Sequence, residues 1–460
     1  MRGGSTSLTS VAQDAAGMHP MPIDRRQMLL GTAAALATPV SAFGLDAAQF
    51  GVRPGATDDQ SLALQRAIDE AARTRAPLVL APGIYRAGGI KVANGTQIIG
   101  VRGATRLTLT SGPSLLSGEG GDGVTLSGLA LEGGGQPLPQ NRGLVHLTAT
   151  KSIRISDCTV IDAGGNGIAL ERCDGAVTAN AVSGAGDNAL FCIDCNALVI
   201  SGNVIRGSGN GGIRIWQSVK RHDGSIVADN TIEDTFARSG GTGENGNAVN
   251  VFRAADVIVR NNIIRRAAFS AIRGNAASAI QILGNNCAEL KETAMYAEFD
   301  FEGAIVADNI IDTAENGIAI TNFNNGGRLA TVHGNLLRNV GVRRPDNPPE
   351  GAGVGIGVEA ETAVTGNVIE NAPNIGIRAG WGPYLRNVTV AGNVVRNAGY
   401  GIAVSVVSGA GDTTIASNVI AGAKLGAIVG MEWTKAVTGD LARDGASRYP
   451  QLAIVNNQAR

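Results

Sequence analysis

The chain has 460 residues, 65 of them glycine, with 4% aromatic and 17% charged residues and a formal net charge of −1. This even balance, without any run of Lys or Arg, excludes a phosphate-tracking surface for nucleic acid, and no shift in composition marks a linker between domains. Five cysteines in so long a chain are no disulfide framework, and the odd count leaves at least one without an intramolecular partner.

The first element in chain order is "DRRQMLLGTAAALATPVSA", residues 24–42, with paired Arg25 and Arg26, an apolar stretch, and Val40-Ser41-Ala42 as a small-residue cleavage site. The apolar stretch is too short and too rich in Ala and Gly to span a membrane. The segment resembles a twin-arginine export signal, with Asp24 where that pattern usually has Ser or Thr and Met28 where it prefers Phe. The resemblance implies passage of the folded protein through the twin-arginine export machinery, a mature chain from near Phe43, no stable membrane span afterwards, and a periplasmic or secreted location in a bacterium. No cysteine follows the cleavage site, so no lipid anchor is expected.

Residues 57–72, "TDDQSLALQRAIDEAA", predict a short helix with Asp58 or Asp59 as N-cap and Leu64, Ala67, Ile68 and Ala71 on one face. Such a helix suits the open end of a stack of coils, so residues 43–110 are assigned to an N-terminal cap and first coils. The rest, 111–460, carries a repeat. Aligned on one asparagine it runs Asn180, Asn203, Asn230, Asn262, Asn286, Asn309, Asn335, Asn367, Asn393 and Asn418, in steps of 23 to 32 residues. Each unit has an apolar residue three before the Asn, another two after, a Gly-rich turn, and an apolar-x-apolar pair such as Ile318 and Ile320. That period and alternation predict short strands stacked coil on coil, a single-stranded right-handed parallel β-helix whose asparagines lie above one another. "LAIVNN" near the C-terminus looks like a truncated final coil.

The segment "FGVRPGATDDQSLALQRAIDEAARTRAPLVLAPGIY", residues 50–85, resembles the opening of the pectate-lyase-like superfamily, in which a short helix precedes the first strand and a Pro-Gly turn, here Pro82-Gly83. Export signal and repeats together resemble the family of twin-arginine-translocated repeat proteins over nearly the whole chain. That family implies fold and export and leaves activity open.

Within each apolar pair the middle residue points away from the core. In coil order these residues are Ala169, Phe191, Arg214, Asn250, Arg273, Tyr296, Ala319, Gly357, Arg378, Ala403 and Val429. Arg214, Asn250, Arg273 and Tyr296 form a large polar run of about 14 Å at 4.8 Å per rung, comparable to a few sugar units. Trp216, Phe252 and Asn275 stand beside it. Extending the strand alternation through "MYAEFDFE" puts Tyr296, Glu298, Asp300 and Glu302 on one side.

This face suits a polysaccharide, acidic sugars above all. Arg214 and Arg273 would hold a carboxylate and stabilise charge as a C5 proton leaves, and Tyr296 or His222 would move that proton. Glu298 and Asp300 would serve a hydrolase as acid and base, or hold calcium, the one cofactor the residues bring to mind. Asn250, Trp216, Phe252 and Asn275 would bind substrate. Insertions at 216–225, 235–247 and 341–353 are expected to form groove walls. The sequence leaves lyase, hydrolase and epimerase open, and a non-catalytic envelope or surface protein using the same ladder remains the alternative. No Gly-rich phosphate loop and no metal-spaced Cys/His set is present. Cys192 and Cys195 of "CIDC" are expected to be buried, and His146 and His333 to take no catalytic part.

Overall fold

Apolar runs cut every few residues by Gly, Asn or Asp are too short for helices, and their alternation makes them strands. The computed structural model describes residues 44–241, 243–321, 328–341 and 351–460. Arg25, Arg26 and Ala42 of the expected signal lie outside these residues, as does most of the 341–353 insertion. The strands form a parallel β-solenoid of about 13 turns. One sheet of 16 strands runs from Leu45–Asp46 to Leu452–Val455, and the other strands stack into two columns that merge where long strands round the corner.

The column that concerns function contains β1 (Gly143–Thr148), β2 (Asn166–Glu171), β3 (Asn188–Ile193), β4 (Gly211–His222), β5 (Asn247–Ala255), β6 (Ile272–Asn275), β7 (Thr293–Glu298), β8 (Asn316–Thr321), β9 (Val354–Val358), β10 (Val368–Ala379), β11 (Val394–Ser405) and β12 (Gly426–Glu432). Neighbours pair in parallel and in register, so Ile213, Val249, Ile272, Met295 and Ile318 stand in one buried file. Burying each such side chain contributes roughly 1.5–3 kcal/mol. The file repeats in every coil because each rung must fit the surface of the one before it.

The expected asparagine stack is present as a hydrogen-bonded ladder. The side-chain oxygen of each Asn accepts from both the backbone N–H and the side-chain amide of the Asn one coil earlier, at 2.9–3.0 Å from Asn203 onward. Each amide also donates to a backbone carbonyl of that earlier coil, as Asn309 does to Ile282 at 2.9 Å. The ladder passes through Asn285 and not Asn286, and it ends at Asn457. Asn286 instead begins a strand on the neighbouring column. The left-handed turn residue is the one before each ladder Asn, for instance Gly202, Asp229, Asn261, Gly284 and Asp308.

The capping helix α1 spans Ser61–Thr74 and buries Leu64, Ala67, Ile68 and Ala71 as expected. It starts later than the sequence implied. Gln60 occupies the N-cap position without a side-chain cap bond, while Asp59 accepts from the Ser61 N–H at 2.8 Å. All five cysteines are buried and free.

Removing a ladder side chain strands two buried neighbours. Asn285→Ala is therefore expected to cost about 2–3 kcal/mol of stability, and Asn286→Ala less than about 0.5 kcal/mol, read from urea midpoints. Equal effects would place the ladder elsewhere.

Candidate functional site

The row read from the sequence is in register: Phe191, Arg214, Asn250, Arg273, Tyr296, Ala319, Gly357, Arg378, Ala403 and Val429 are successive rungs. It also begins earlier, because His146 on β1 precedes Ala169. A second outward file runs beside it through Trp216, Phe252, Asn275 and Glu298. These side chains do not form an open groove. Arg214, Asn250, Arg273 and Glu298 are only 4%, 3%, 8% and 2% exposed.

The cause is the insertion before β5, which folds over the row. Asn245 accepts from Arg214 Nη2 at 2.5 Å, and the Gly243 carbonyl accepts from Asn250 Nδ2 at 2.9 Å. Asn250 Oδ1 in turn accepts from Trp216 Nε1 at 3.1 Å, with the Arg214 guanidinium 4.8 Å from the Trp216 ring centre. Trp216 packs edge-on against Phe191 and Phe252. Burial lowers the pKa of Arg214, with Asp187 and Glu244 opposing the shift.

The next rungs form a charged network. Arg273 donates a fork to Glu298, Nε to Oε1 at 2.6 Å and Nη2 to Oε2 at 3.0 Å, and Nη1 reaches Glu292 at 3.4 Å. Asn275 adds a bond to Glu298 Oε1 at 3.0 Å. Burial opposes the charge on Arg273, but the Glu298 carboxylate outweighs it and holds the guanidinium above its ordinary value. Both Glu298 oxygens are thus occupied. Arg273 also lies 4.5 Å below the Tyr296 ring, and burial pushes that phenol up to about 12. A phenol protonated at neutral pH can donate a proton or hydrogen bond, but it is no resting base.

Asp300 does not join Glu298. Phe299 and Asp300 both adopt left-handed backbone, at φ 50° and 46°, which ends the alternation at Glu298. Asp300 is instead exposed and pairs with Lys220 at 3.4 Å. The expected acid–base or calcium pair is therefore not assembled. The 216–225 segment is not a separate loop, since β4 continues to His222 with a register shift after Trp216. His222 pairs with Asp256 at 2.6 Å on the surface.

Openings occur where the row becomes small. Over Ala319 and Gly357 lies a cavity of about 320 Å³, bounded by Tyr296, Glu298, Asn316 and Arg378. Gly357 permits it, since a Cβ there would stand 3.4 Å from Arg378 Nη2. Arg378 is half-buried and stacks 5.2 Å from the Trp381 ring centre, and no described residue gives it a hydrogen bond or close ion pair. Burial lowers its pKa, against the pull of Glu359. A second cavity of about 260 Å³ lies over Ala169, lined by His146, Glu171, Phe191 and Asp194. Burial and then Arg142 lower the pKa of His146, with Glu171 opposing, and its Nδ1 has no partner. Arg378 was in the row from the outset, but small neighbours made it look unimportant; His146 was recognisable from its register with Ala169.

The sequence model of the family described as "Periplasmic copper-binding protein (NosD)" matches residues 84–250, a little over a third of the chain. Copper is held by thiolate, thioether or imidazole donors brought together. Among the described residues no group of three His, Cys, Asp or Glu side chains could hold a metal ion. Burial pushes Cys158 to about 11 and Cys287 to about 12. These residues do not fit a copper centre.

Solved structures share the fold. An N-terminal fragment of bacteriophage Phi29 gene product 12 is 13% identical with a TM-score of 0.51, over 84% of this chain and 69% of that one. The catalytic unit of an α-1,3-glucanase from Streptomyces thermodiastaticus is 15% identical with a TM-score of 0.49, over 92% and 70%. The A-module of a mannuronan C-5 epimerase from Azotobacter vinelandii is 15% identical with a TM-score of 0.46, over 90% and 99%. At such identity these likenesses concern fold. No curated protein sequence matches the chain, and among the described residues no helix is long and apolar enough to cross a membrane.

Removing one member of a buried ion pair leaves the other charge stranded, so Arg273→Ala is expected to cost about 3–5 kcal/mol. Thermal denaturation should show this large loss; an unchanged melting temperature would return Arg273 to the list of ligand-binding groups.

Proposed function

We propose that this chain is an exported β-helix protein that binds an acidic polysaccharide in the cavity over Ala319 and Gly357, with Arg378 as the carboxylate anchor. The observation that carries this reading is the Arg378 guanidinium, half-buried at the cavity's edge, drawn on by Glu359 but with no hydrogen bond or close ion pair among the described residues. A guanidinium partly drawn out of water and without a close carboxylate has donors to offer a ligand that brings one. A sugar carboxylate supplies the planar pair of acceptors that a guanidinium fork fits. The Tyr296 phenol, which already meets Thr293, lines the same cavity, and the Asn316 amide shapes its wall by donating to the Gly351 carbonyl and accepting from the Val354 N–H.

Arg214 and Arg273 take a supporting part here. Neither lines the cavity: Arg214 lies under the 235–247 insertion, and Arg273 holds Glu298, which does line it. Because Glu298 and Asp300 are apart, binding and not cleavage is assigned to this face. Export rests on the residue 24–42 signal and on the periplasmic description of the family matched at 84–250.

Purified residues 43–460 should bind uronic-acid oligosaccharides in calorimetry and bind neutral glycans weakly or not at all. Arg378→Gln should weaken uronate binding by about tenfold or more while leaving the melting temperature within a few degrees. Equal binding by wild type and Arg378→Gln would end the proposal. Replacing both Arg25 and Arg26 with Lys should leave the precursor in the cytoplasmic fraction; continued export would remove the twin-arginine assignment.

A further inference from the structure

The last full coil gives way to the one antiparallel pair among the described strands. β12 turns at Trp433-Thr434 and returns as β13 (Lys435–Asp440), with Glu432 opposite Lys435. The first residue of such a two-residue turn commonly needs positive φ, and Gly, Asn or Asp usually takes it. Here it is Trp433, at φ 56°. A bulky side chain in left-handed backbone is an outlier, and such strain persists at sites of function. Trp433 is still left 46% exposed.

The hairpin tip nevertheless reaches back along the solenoid. Trp433 meets Trp381 edge-on with ring centres 5.5 Å apart, and Trp381 is the ring on which Arg378 stacks. A glycine receives it: a Cβ at Gly382 would come within 2.4 Å of the Trp433 ring. Arg378, Trp381, Trp433, Asn374, Ser405 and Thr434 line one small cavity, and Arg378 borders the larger cavity beyond as well. The anchor therefore has a cavity on one side and a half-exposed indole on the other.

We infer that Trp433 is a stacking platform for a second sugar ring of the same chain, so that the ligand is an acidic oligosaccharide running from the Ala319–Gly357 cavity past Arg378 to the hairpin tip. This rests on the carboxylate-anchor proposal and extends it from a sugar class to a minimum length. An indole face gives a sugar's C–H surface a large apolar partner, with little side-chain entropy to lose. A monosaccharide on Arg378 leaves the platform empty, whereas a longer chain covers it.

The test uses residues 43–460 with galacturonate and mannuronate as monomers and hexamers, followed by calorimetry and tryptophan fluorescence. Wild type should bind hexamers more tightly than monomers, and hexamers should change indole emission beyond what a monomer beside Trp381 does, an increment that Trp433→Gly removes. Trp433→Gly suits the backbone at φ 56° and keeps the hairpin while removing the ring. It should weaken hexamer binding roughly three- to tenfold, leave monomer affinity unchanged, and not lower the melting temperature. Trp433→Phe should restore part of the hexamer preference. If Trp433→Gly keeps the full hexamer preference, or loses monomer and hexamer affinity alike, the platform is refuted while the Arg378 anchor stands. If wild type binds neither length of either acid, both fall. A hexamer affinity unchanged by Trp433→Gly together with a large drop in melting temperature makes the ring a cap for the solenoid end and refutes the platform.

Discussion

Everything in this protein depends on in-register stacking of one coil on the next, and the asparagine ladder is the interaction that fixes the register. A strand slipped by one residue would turn its core side chains outward. An apolar file of Ile, Val and Leu resists such a slip only in part, because neighbouring aliphatic residues are nearly interchangeable. The Asn side chain is more exacting. Its amide must find both the next Asn and a backbone carbonyl of the earlier coil, as Asn309 does with Asn335 and Ile282. Hydrogen bonds of fixed geometry thus set the pitch that hydrophobic burial stabilises.

The same stacking explains how the outer face divides. A solenoid gives every coil an equivalent outward position, and chemistry enters through what fills it and what covers it. Between Arg214 and Tyr296 the position is filled with large side chains and roofed by Gly243, Glu244 and Asn245. At Ala319 and Gly357 it holds almost nothing. Arg378, one rung on, is the first large cation beyond the filled stretch, and it meets a cavity where Arg273 meets Glu298. Two arginines on one row thereby sit in opposite surroundings: one closes a buried network, and the other borders a cavity.

The fold was legible because its signal is repeated in every coil. Period, alternation and the α1 face each gave the right assignment, and the misplaced Asn286 shows the limit. Asn285 and Asn286 are adjacent, and each has an apolar residue three before it and a small one two after it. Ile282 and Cys287 face the core where Leu283 and Ala288 do not, which decides for Asn285. Periodicity alone could not, since a difference of one residue lies within the variation of the repeat. Asp300 failed differently. Alternation was extended through a point where two consecutive left-handed residues turn the chain; Asp300 is a residue type that takes such a turn, as Asp229 and Asp308 do, but Phe299 before it is not.

The site was less legible because burial on the outer face is set by segments that do not repeat. A residue pointing away from the core is exposed only if nothing crosses over it, and the path of the 235–247 insertion follows no period. Size along the row carried the missing information. Four large polar residues in succession form a dense ridge whose members satisfy one another, whereas a cavity needs small residues flanked by a large polar one. Ala319, Gly357 and Arg378 have that pattern, and His146 followed by Ala169 has it again at the other end. On this solenoid the outer-face cavities therefore lie where the outward row narrows beside a large polar residue and not where it is richest in charge.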